Sequence, residues 1–329
     1  MTRISTKVFA VFGIIVAIFL FQYATSVFQS TLFSSPSSIQ PRDNLSSTEK
    51  AFSSIQSNLS INTAKLTNDI TVLTAYFNIG AFAKGSLGNI FTPSKYYEWM
   101  SAYGKMLNNL VVYTDDERTY KTFQKLRGNA FKEQTKLFFI NKTELLSFQI
   151  EKNISDIFKQ PGYPKHLPNT VVPEYSCAMH AKYELLNRII RKNFFHTKYF
   201  MWSDAGLFRT PQNSLFKLAL PKNFDDTKVA LSRVFDFNEN STYKDIIYNN
   251  NVWLAGGCSL GKYDVLYKFT QEYFNFLHKS LSMKLVSTDQ QIIYGMYVDK
   301  QKPVTYLQLY ESGWYALSNA CYEAGKALI

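Results

Sequence analysis

The sequence predicts an α/β protein: a mainly parallel, Rossmann-type sheet flanked by helices, preceded by one transmembrane helix and a stem. Three observations point there. A single long apolar run, Val8 to Phe21, lies near the N-terminus. After about residue 69, short apolar runs alternate with stretches of helical periodicity, as strands buried between helices do. Hydrophobic residues make up 46% and charged residues 19% of the 329, which excludes wholesale disorder, while the lone apolar run excludes a multi-span membrane protein. That length suits one large α/β domain around a single cleft, or two small domains.

No charged residue separates Lys7 from Arg42, and Arg3 and Lys7 precede the apolar run. Flanking cations keep the preceding tail cytoplasmic. This gives a cytoplasmic tail over 1–7, a signal-anchor over 8–28 in the single-pass type II orientation, and a lumenal remainder. The alternative is a signal peptide cut near Ala24-Thr25-Ser26 and a secreted product. Tyr23, Val27, Phe28, Leu32 and Phe33 lengthen the apolar segment toward the roughly 20 residues of a span and favour the anchor. Residues 29–68, rich in Ser, Thr, Gln and Asn with Pro36 and Pro41, read as a stem, and 69–329 as the folded lumenal domain. Asn44, Asn58, Asn141, Asn153 and Asn240 each begin a glycosylation sequon, in keeping with a glycoprotein of the secretory pathway. Cys177, Cys258 and Cys321 allow one disulfide and leave a thiol over.

Within the domain, Ile70 to Phe77 reads as a buried strand. Tyr96, Met100, Tyr103 and Leu107 follow at helical spacing, and Leu110 to Thr114 is a second strand ending at Asp115 and Asp116, which completes a βαβ unit. Lys136 to Ile140 supplies a third strand. Met179, Tyr183, Leu186 and Ile190 mark a helix with Ser176 as its expected cap. A fourth strand, Tyr199 to Trp202, runs into Ser203-Asp204-Ala205-Gly206. The second half reads as α+β: a strand from Val252 to Ala255 that breaks at Gly256-Gly257, a helix through Val265, Phe269, Tyr273 and Phe276, a helix opening at Asp289, and a last strand from Val304 to Tyr310.

In open α/β sheets ligands gather at the carboxyl ends of the strands, where Asp115, Asp116 and Asp204 fall. Asp204, delivered by a hydrophobic strand into a turn of small residues, has the chemistry to hold Mn²⁺ or Mg²⁺ against a diphosphate. A turn or cap role is its plain alternative. Gly256 and Gly257 let backbone approach a ligand closely, or make a tight turn. Gly256, Gly261 and Lys262 match the spacing of a phosphate-binding loop, but Tyr263 stands where Ser or Thr would hold Mg²⁺, so that reading is set aside. Asp289 at a helix start is a candidate general base, or a helix-capping acid. Lys182 can meet a diphosphate or sit on a solvated face. Cys177 and His180 make only half a zinc site, and no Ser/His/Asp or Cys/His set assembles. The net charge of +11 suits an anionic partner, while the scatter of basic residues argues against nucleic acid. Aromatic residues are 16% of the chain, enough to stack bases or sugars or simply to fill a core.

Taken in order, these stretches resemble the HtrL/YibB family of bacterial and nematode proteins, itself similar to glycosyltransferases of the A fold (GT-A). The resemblance rests on TAYFNIG from Thr74, Trp99, LVVYTDD from Leu110, PEY from Pro173, and His180 with Lys182. It continues through NFFHTKYFMWSDAGLFR from Asn193, WLAGG from Trp253, TDQQII from Thr288 and LYESGWY from Leu309. It spans Ile70 to about Tyr315. The resemblance implies that Tyr76 and Asp115 face a nucleoside, Lys182 the diphosphate, and Asp204 a metal. It further implies that Gly256 and Gly257 border the sugar, that Asp289 contacts donor or acceptor, and that Arg209 meets anionic groups. Two departures stand out: Gly206 replaces the second acid of the usual D-x-D, and no His follows Asp289 as a late metal ligand. Glu311 or a diphosphate oxygen is the expected substitute if a metal binds.

The expected function is therefore a Golgi membrane glycosyltransferase, moving a sugar from a nucleotide-sugar donor to a glycan or glycoprotein. A non-catalytic lumenal or secreted glycan-binding protein with the same fold is the rival. A hydrolase lacks an assignable carboxylate pair.

Overall fold

The computed structural model describes residues 47–55, 58–61, 63–209, 213–299, 307–311 and 313–329. The expected tail, the anchor over 8–28 and the first part of the stem lie outside the described residues. Among the described residues, no helix is long and apolar enough to cross a membrane.

The chain is mixed α/β, and a mostly parallel central sheet is covered by helices on both faces. Its strands are β1 (Thr67–Tyr76), β4 (Asn109–Thr114), β5 (Thr135–Phe139), β6 (Thr197–Ser203), β7 (Val229–Arg233), β8 (Leu254–Lys262) and β9 (Leu307–Tyr310), ordered β5-β4-β1-β6-β8-β7-β9. Two short strands, β2 (Phe82–Lys84) and β3 (Ser86–Phe91), pair separately as a hairpin. The helices are α1 (Ser47–Ile55), α2 (Pro93–Met100), α3 (Glu117–Arg127), α4 (Leu146–Gln149), α5 (Glu151–Phe158), α6 (Pro173–Lys192), α7 (Tyr243–Tyr248), α8 (Tyr263–Ser282), α9 (Asp289–Val298) and α10 (Ala316–Lys326).

β1 is central because both of its faces are apolar. Leu73 packs with Val111, Phe200 and Trp202 against α6 and α8; Ile70 and Val72 pack with Leu110, Val112 and Met201 beneath Tyr103, Phe123 and Leu317. Burial of each such side chain contributes about 1.5–3 kcal/mol, so a strand loaded on both sides seeks the middle of the sheet. β1 pairs in parallel with β4 and with β6, and β4 with β5. β8 runs antiparallel to β6 and β7, while β7 and β9 are parallel, so β8 alone points the other way.

Four local expectations change. The helix of Met179 to Ile190 starts at Pro173 rather than at a Ser176 cap: proline takes the first turn, where its missing N–H costs nothing, and Ser176 lies inside, its hydroxyl bonded to the Ser287 carbonyl. The strand expected to break at Gly256-Gly257 instead runs through both to Lys262, because β6 and β7 pair with it from either side. The helical spacing of Tyr96 to Leu107 resolves into α2 followed by a 3₁₀ segment, Ser101–Lys105. Part of the expected stem is α1, whose Phe52 meets the Phe274 ring at 6.2 Å and whose Ile55 is buried, so the folded unit begins at Ser47. All three cysteines are free and buried, without the disulfide that the sequence allowed.

His180 sits in the core on α6, its Nδ1 2.6 Å from the Tyr273 hydroxyl. Burial pushes its pKa down to about 3 from 6.5, with help from the Lys182 charge and against a hydrogen bond at Ser287. Between those two values the unfolded chain binds a proton that the folded chain refuses. Stability therefore falls with falling pH in that window by about 1.4 kcal/mol per unit from this residue. Urea unfolding between about pH 7 and about pH 5 should show a shallower loss in His180→Gln than in the parent; equal slopes would remove His180 as the cause.

Candidate active site

The strand order places the cleft. From β1 the chain steps outward to β4 and β5, then returns to add β6 on the other side of β1. Where the order reverses, the loops leaving two neighbouring strands diverge and open a crevice at their carboxyl ends. Tyr76 ends β1 and Asp204 follows β6 directly. The reversed strand β8 brings its beginning to the same edge, pairing Cys258 with Ser203, while Asp204 N–H donates to the Gly257 carbonyl at 2.9 Å. Gly256 and Gly257 thus arrive beside Asp204.

A buried ammonium ion joins these pieces. Lys182, midway along α6 and 2% exposed, is 3.0 Å from Asp289 Oδ2 and 3.1 Å from Asp204 Oδ1, and it donates to the Gly256 carbonyl at 2.8 Å. It thereby gives hydrogen bonds to Gly256 and Asp289 and an ion pair to Asp204, three oxygens from three other elements. Burial works against its charge, yet the carboxylates of Asp204 and Asp289 hold its pKa above the ordinary lysine value. Burial likewise pushes Asp289 up, with Asp204 adding to the effect and Lys182 opposing it. Asp289, the first residue of α9, is 2% exposed, whereas the Asp204 side chain is 37% exposed. Asp204 Oδ1 also accepts the Trp202 indole N–H at 2.7 Å, and its carbonyl accepts the buried Tyr103 hydroxyl at 2.9 Å. The orientation of Asp204 is fixed, and its Oδ2 is left toward the cleft.

Two adjoining cavities share Asp204. The first is walled by rings, among them Tyr76, Phe82, Phe91, Tyr96, Trp99 and Tyr175. The second, about 330 Å³, is lined by Lys182, Gly256, Gly257, Asp289, Gln290 and Trp314 among others. Lys84 and Arg209 line both. Lys84 Nζ donates to Tyr175 Oη at 3.2 Å, and the Arg209 guanidinium lies 4.9 Å from the Trp99 ring centroid. Gly206, where D-x-D would carry its second acid, is where Trp99 passes: a Cβ there would lie 2.7 Å from the indole. Packing accounts for this glycine.

Of the residues singled out in the sequence, Tyr76, Lys182, Asp204, Arg209, Gly256, Gly257 and Asp289 all line these cavities. Asp115 lines neither. Its carboxylate accepts the Asn78 N–H at 2.8 Å and lies 3.4 Å from Lys142, while Asp116 caps α3 through Thr119 N–H at 2.7 Å. The acidic pair after β4 therefore shapes a turn and a helix start. Glu311 is paired with Arg233 at 2.6 Å and lines neither cavity. Among the described residues, no group of three or more His, Cys, Asp or Glu is placed to hold a metal ion. Sequence reasoning passed over Lys84, Phe91 and Trp314, whereas Gln290, read beside Asp289 as a candidate hydrogen-bond partner of a sugar, lines the second cavity. The phosphate-loop spacing from Gly256 to Lys262 falls inside β8, where no loop exists to wrap a phosphate.

Fold and site together define a helix-covered, mainly parallel α/β protein with a polar, aromatic-walled cleft at its switch point. Residues 68–320 match the family model described as a bacterial protein of unknown function, HtrL_YibB, and the chain belongs to that family. No curated protein matches it. The matched region runs from the start of β1 into α10 and so contains the whole cleft.

Removing Lys182 would strand two carboxylates, one of them buried. Lys182→Met should cost about 3–5 kcal/mol in urea unfolding, and pairing it with Asp289→Asn should recover part of that loss. At Gly256 an added Cβ would collide with Asp289 Oδ2. Gly256→Ala should cost about 1–3 kcal/mol by the same measurement, whereas an unchanged midpoint would show that Asp289 moves freely.

Proposed function

We propose that the protein is a glycosyltransferase, moving a sugar from a nucleotide-sugar donor to a hydroxyl of a glycan or glycoprotein. The observation that carries this reading is the exposed edge of Asp204, held in one orientation where an aromatic cavity meets a polar one. A flat base suits the rings, through stacking on faces such as Tyr76. The sugar suits the second cavity, where bare backbone at Gly257 borders the space and Gln290 offers a polar contact.

In the transfer, the bond from the sugar's C1 to the diphosphate oxygen breaks and its electron pair leaves with the diphosphate. The acceptor oxygen bonds to C1, and its proton passes to a carboxylate. The sequence suggested Asp289 for that base. Burial beneath Lys182 makes Asp289 a poor partner for an incoming hydroxyl, and the open Oδ2 of Asp204 takes over the role. Asp289 then serves to place Lys182 and, through it, Asp204.

The reading includes a Golgi membrane setting with a lumenal catalytic domain. It is supported by the apolar segment over 8–28 and by the exposure of the sequon residues Asn58, Asn141, Asn153 and Asn240.

The test is thermal unfolding of the full chain against a panel of nucleotide sugars, with transfer to glycan acceptors measured for the donors that bind. A donor at about 100 times its dissociation constant should stabilise the chain by about 2.7 kcal/mol. Asp204→Asn should keep that shift and lose at least about 100-fold in turnover. A chain that answers to glycans and to no nucleotide sugar would be the non-catalytic binding protein instead.

A further inference from the structure

We propose that this cleft holds the donor's diphosphate on Lys84 and Arg209 without a divalent cation, because the Lys182 ammonium fills the place between Asp204 and Asp289 that a cation would take. The inference rests on the transferase reading above and goes beyond it by naming which charges meet the leaving group.

A divalent ion in such a cleft needs several hard oxygen donors converging on one point. Here the converging oxygens are Asp204 Oδ1, Asp289 Oδ2 and the Gly256 carbonyl, and all three already surround Lys182 Nζ at 2.8–3.1 Å. A metal ion at that point would have to displace a buried ammonium that the same carboxylates keep charged. Among the described residues, no other donor set is at hand. Asp204 Oδ2 is a single oxygen, Asp115 and Asp116 are spent on Asn78, Lys142 and Thr119, and Glu311 is spent on Arg233. The residues do not fit a metal.

The leaving diphosphate still needs positive charge, and Lys182 is 2% exposed and enclosed by oxygens of its own cluster. Lys84 and Arg209 can supply it. Both line the two cavities, neither is ion-paired among the described residues, and each lies against Phe91, at 5.5 and 5.8 Å from its ring centroid. They enter from different parts of the chain, Lys84 from the β2–β3 hairpin and Arg209 from the turn after β6. Their two charges face a Lys182–Asp204–Asp289 cluster whose formal charge is −1. A diphosphate between them meets a point cation on one side and a planar fork of donors on the other.

The experiment measures binding of UDP, GDP and dTDP to the full chain by calorimetry, once in EDTA and once with Mn²⁺. The proposal expects equal affinity in both, within about twofold, and a loss of at least about tenfold in Lys84→Ala and in Arg209→Ala, as for a charge-assisted hydrogen bond. Binding that requires Mn²⁺ would overturn the proposal and leave the transferase reading standing. Binding of none of the three under either condition would remove both together. A second measurement follows free Mn²⁺ by electron paramagnetic resonance. Wild-type chain should leave the ion free, while Lys182→Ala, with its oxygens vacated, should bind it. Mn²⁺ bound by the wild type and lost in Asp204→Asn would overturn the proposal even where the Lys182→Ala chain does not fold.

Discussion

The arrangement of the cleft depends on one buried charge. An ammonium ion removed from water is costly, and that cost is offset only when every proton finds an oxygen in good geometry. Lys182 approaches the condition through hydrogen bonds to the first part of β8 and the start of α9 and an ion pair with the turn after β6. The first part of β8 and the start of α9 lie far from α6 in sequence, so the ion pair cluster forms only in the finished fold. Such a network adds little net stability over a well-packed apolar core, but it fixes which atoms face the cleft. Asp204 owes its orientation to this bond and to the Trp202 indole, and Asp289 owes its burial to the missing side chain at Gly256.

The sheet makes that convergence possible. Parallel strands alone would bring only strand ends to the cleft edge, each followed by a loop. The reversal of β8 adds a strand beginning there, and its ladder with β6 carries two glycines alongside Asp204. The result is a wall of strand backbone, bonded to the β6 side at Gly257 and bulged on the β7 side, where a loop would otherwise be. The aromatic side is built differently: the β2–β3 hairpin is anchored by Phe82 and Phe91 against Tyr175, in a small cluster apart from the two main cores.

Much of this was legible in the sequence, and the reasons for the rest are physical. The strands carrying Tyr76, Thr114 and Asp204 announce themselves because their apolar runs are buried on both faces, and the helices of Lys182 and Asp289 show regular periodicity. The grouping of Asp204, Lys182, Asp289 and the glycine pair came instead from the resemblance to the HtrL/YibB family. The hairpin was missed, since SLGNIF presents five exposed residues, one of them a glycine, and buries only Phe91, which leaves no apolar pattern to read. The course of β8 was hidden by its glycines, which interrupt any pattern although the backbone pairing continues. The place of Asp115 was not legible, because an acidic pair after a strand serves equally well to bind a ligand and to open a helix; the structure puts Asp115 against Asn78 and Asp116 at the helix start with Thr119. The helix at Ser47 is short and polar enough to pass for a linker, and its two buried contacts, Phe52 and Ile55, are tertiary.

The direction of β8 also divides the cleft by the kind of change it can tolerate. On the parallel side, the chain after β1 or β6 can be lengthened or replaced with the sheet untouched, because those strands have already ended. On the β8 side, a one-residue insertion beyond Cys258 would fall within the ladder with β6 and slip the residues after it to the opposite face. The first wall is free to diversify among relatives, and the second is bound to the register of the sheet. A family built on this plan would keep one half of its cleft as a constant and alter its chemistry from the other.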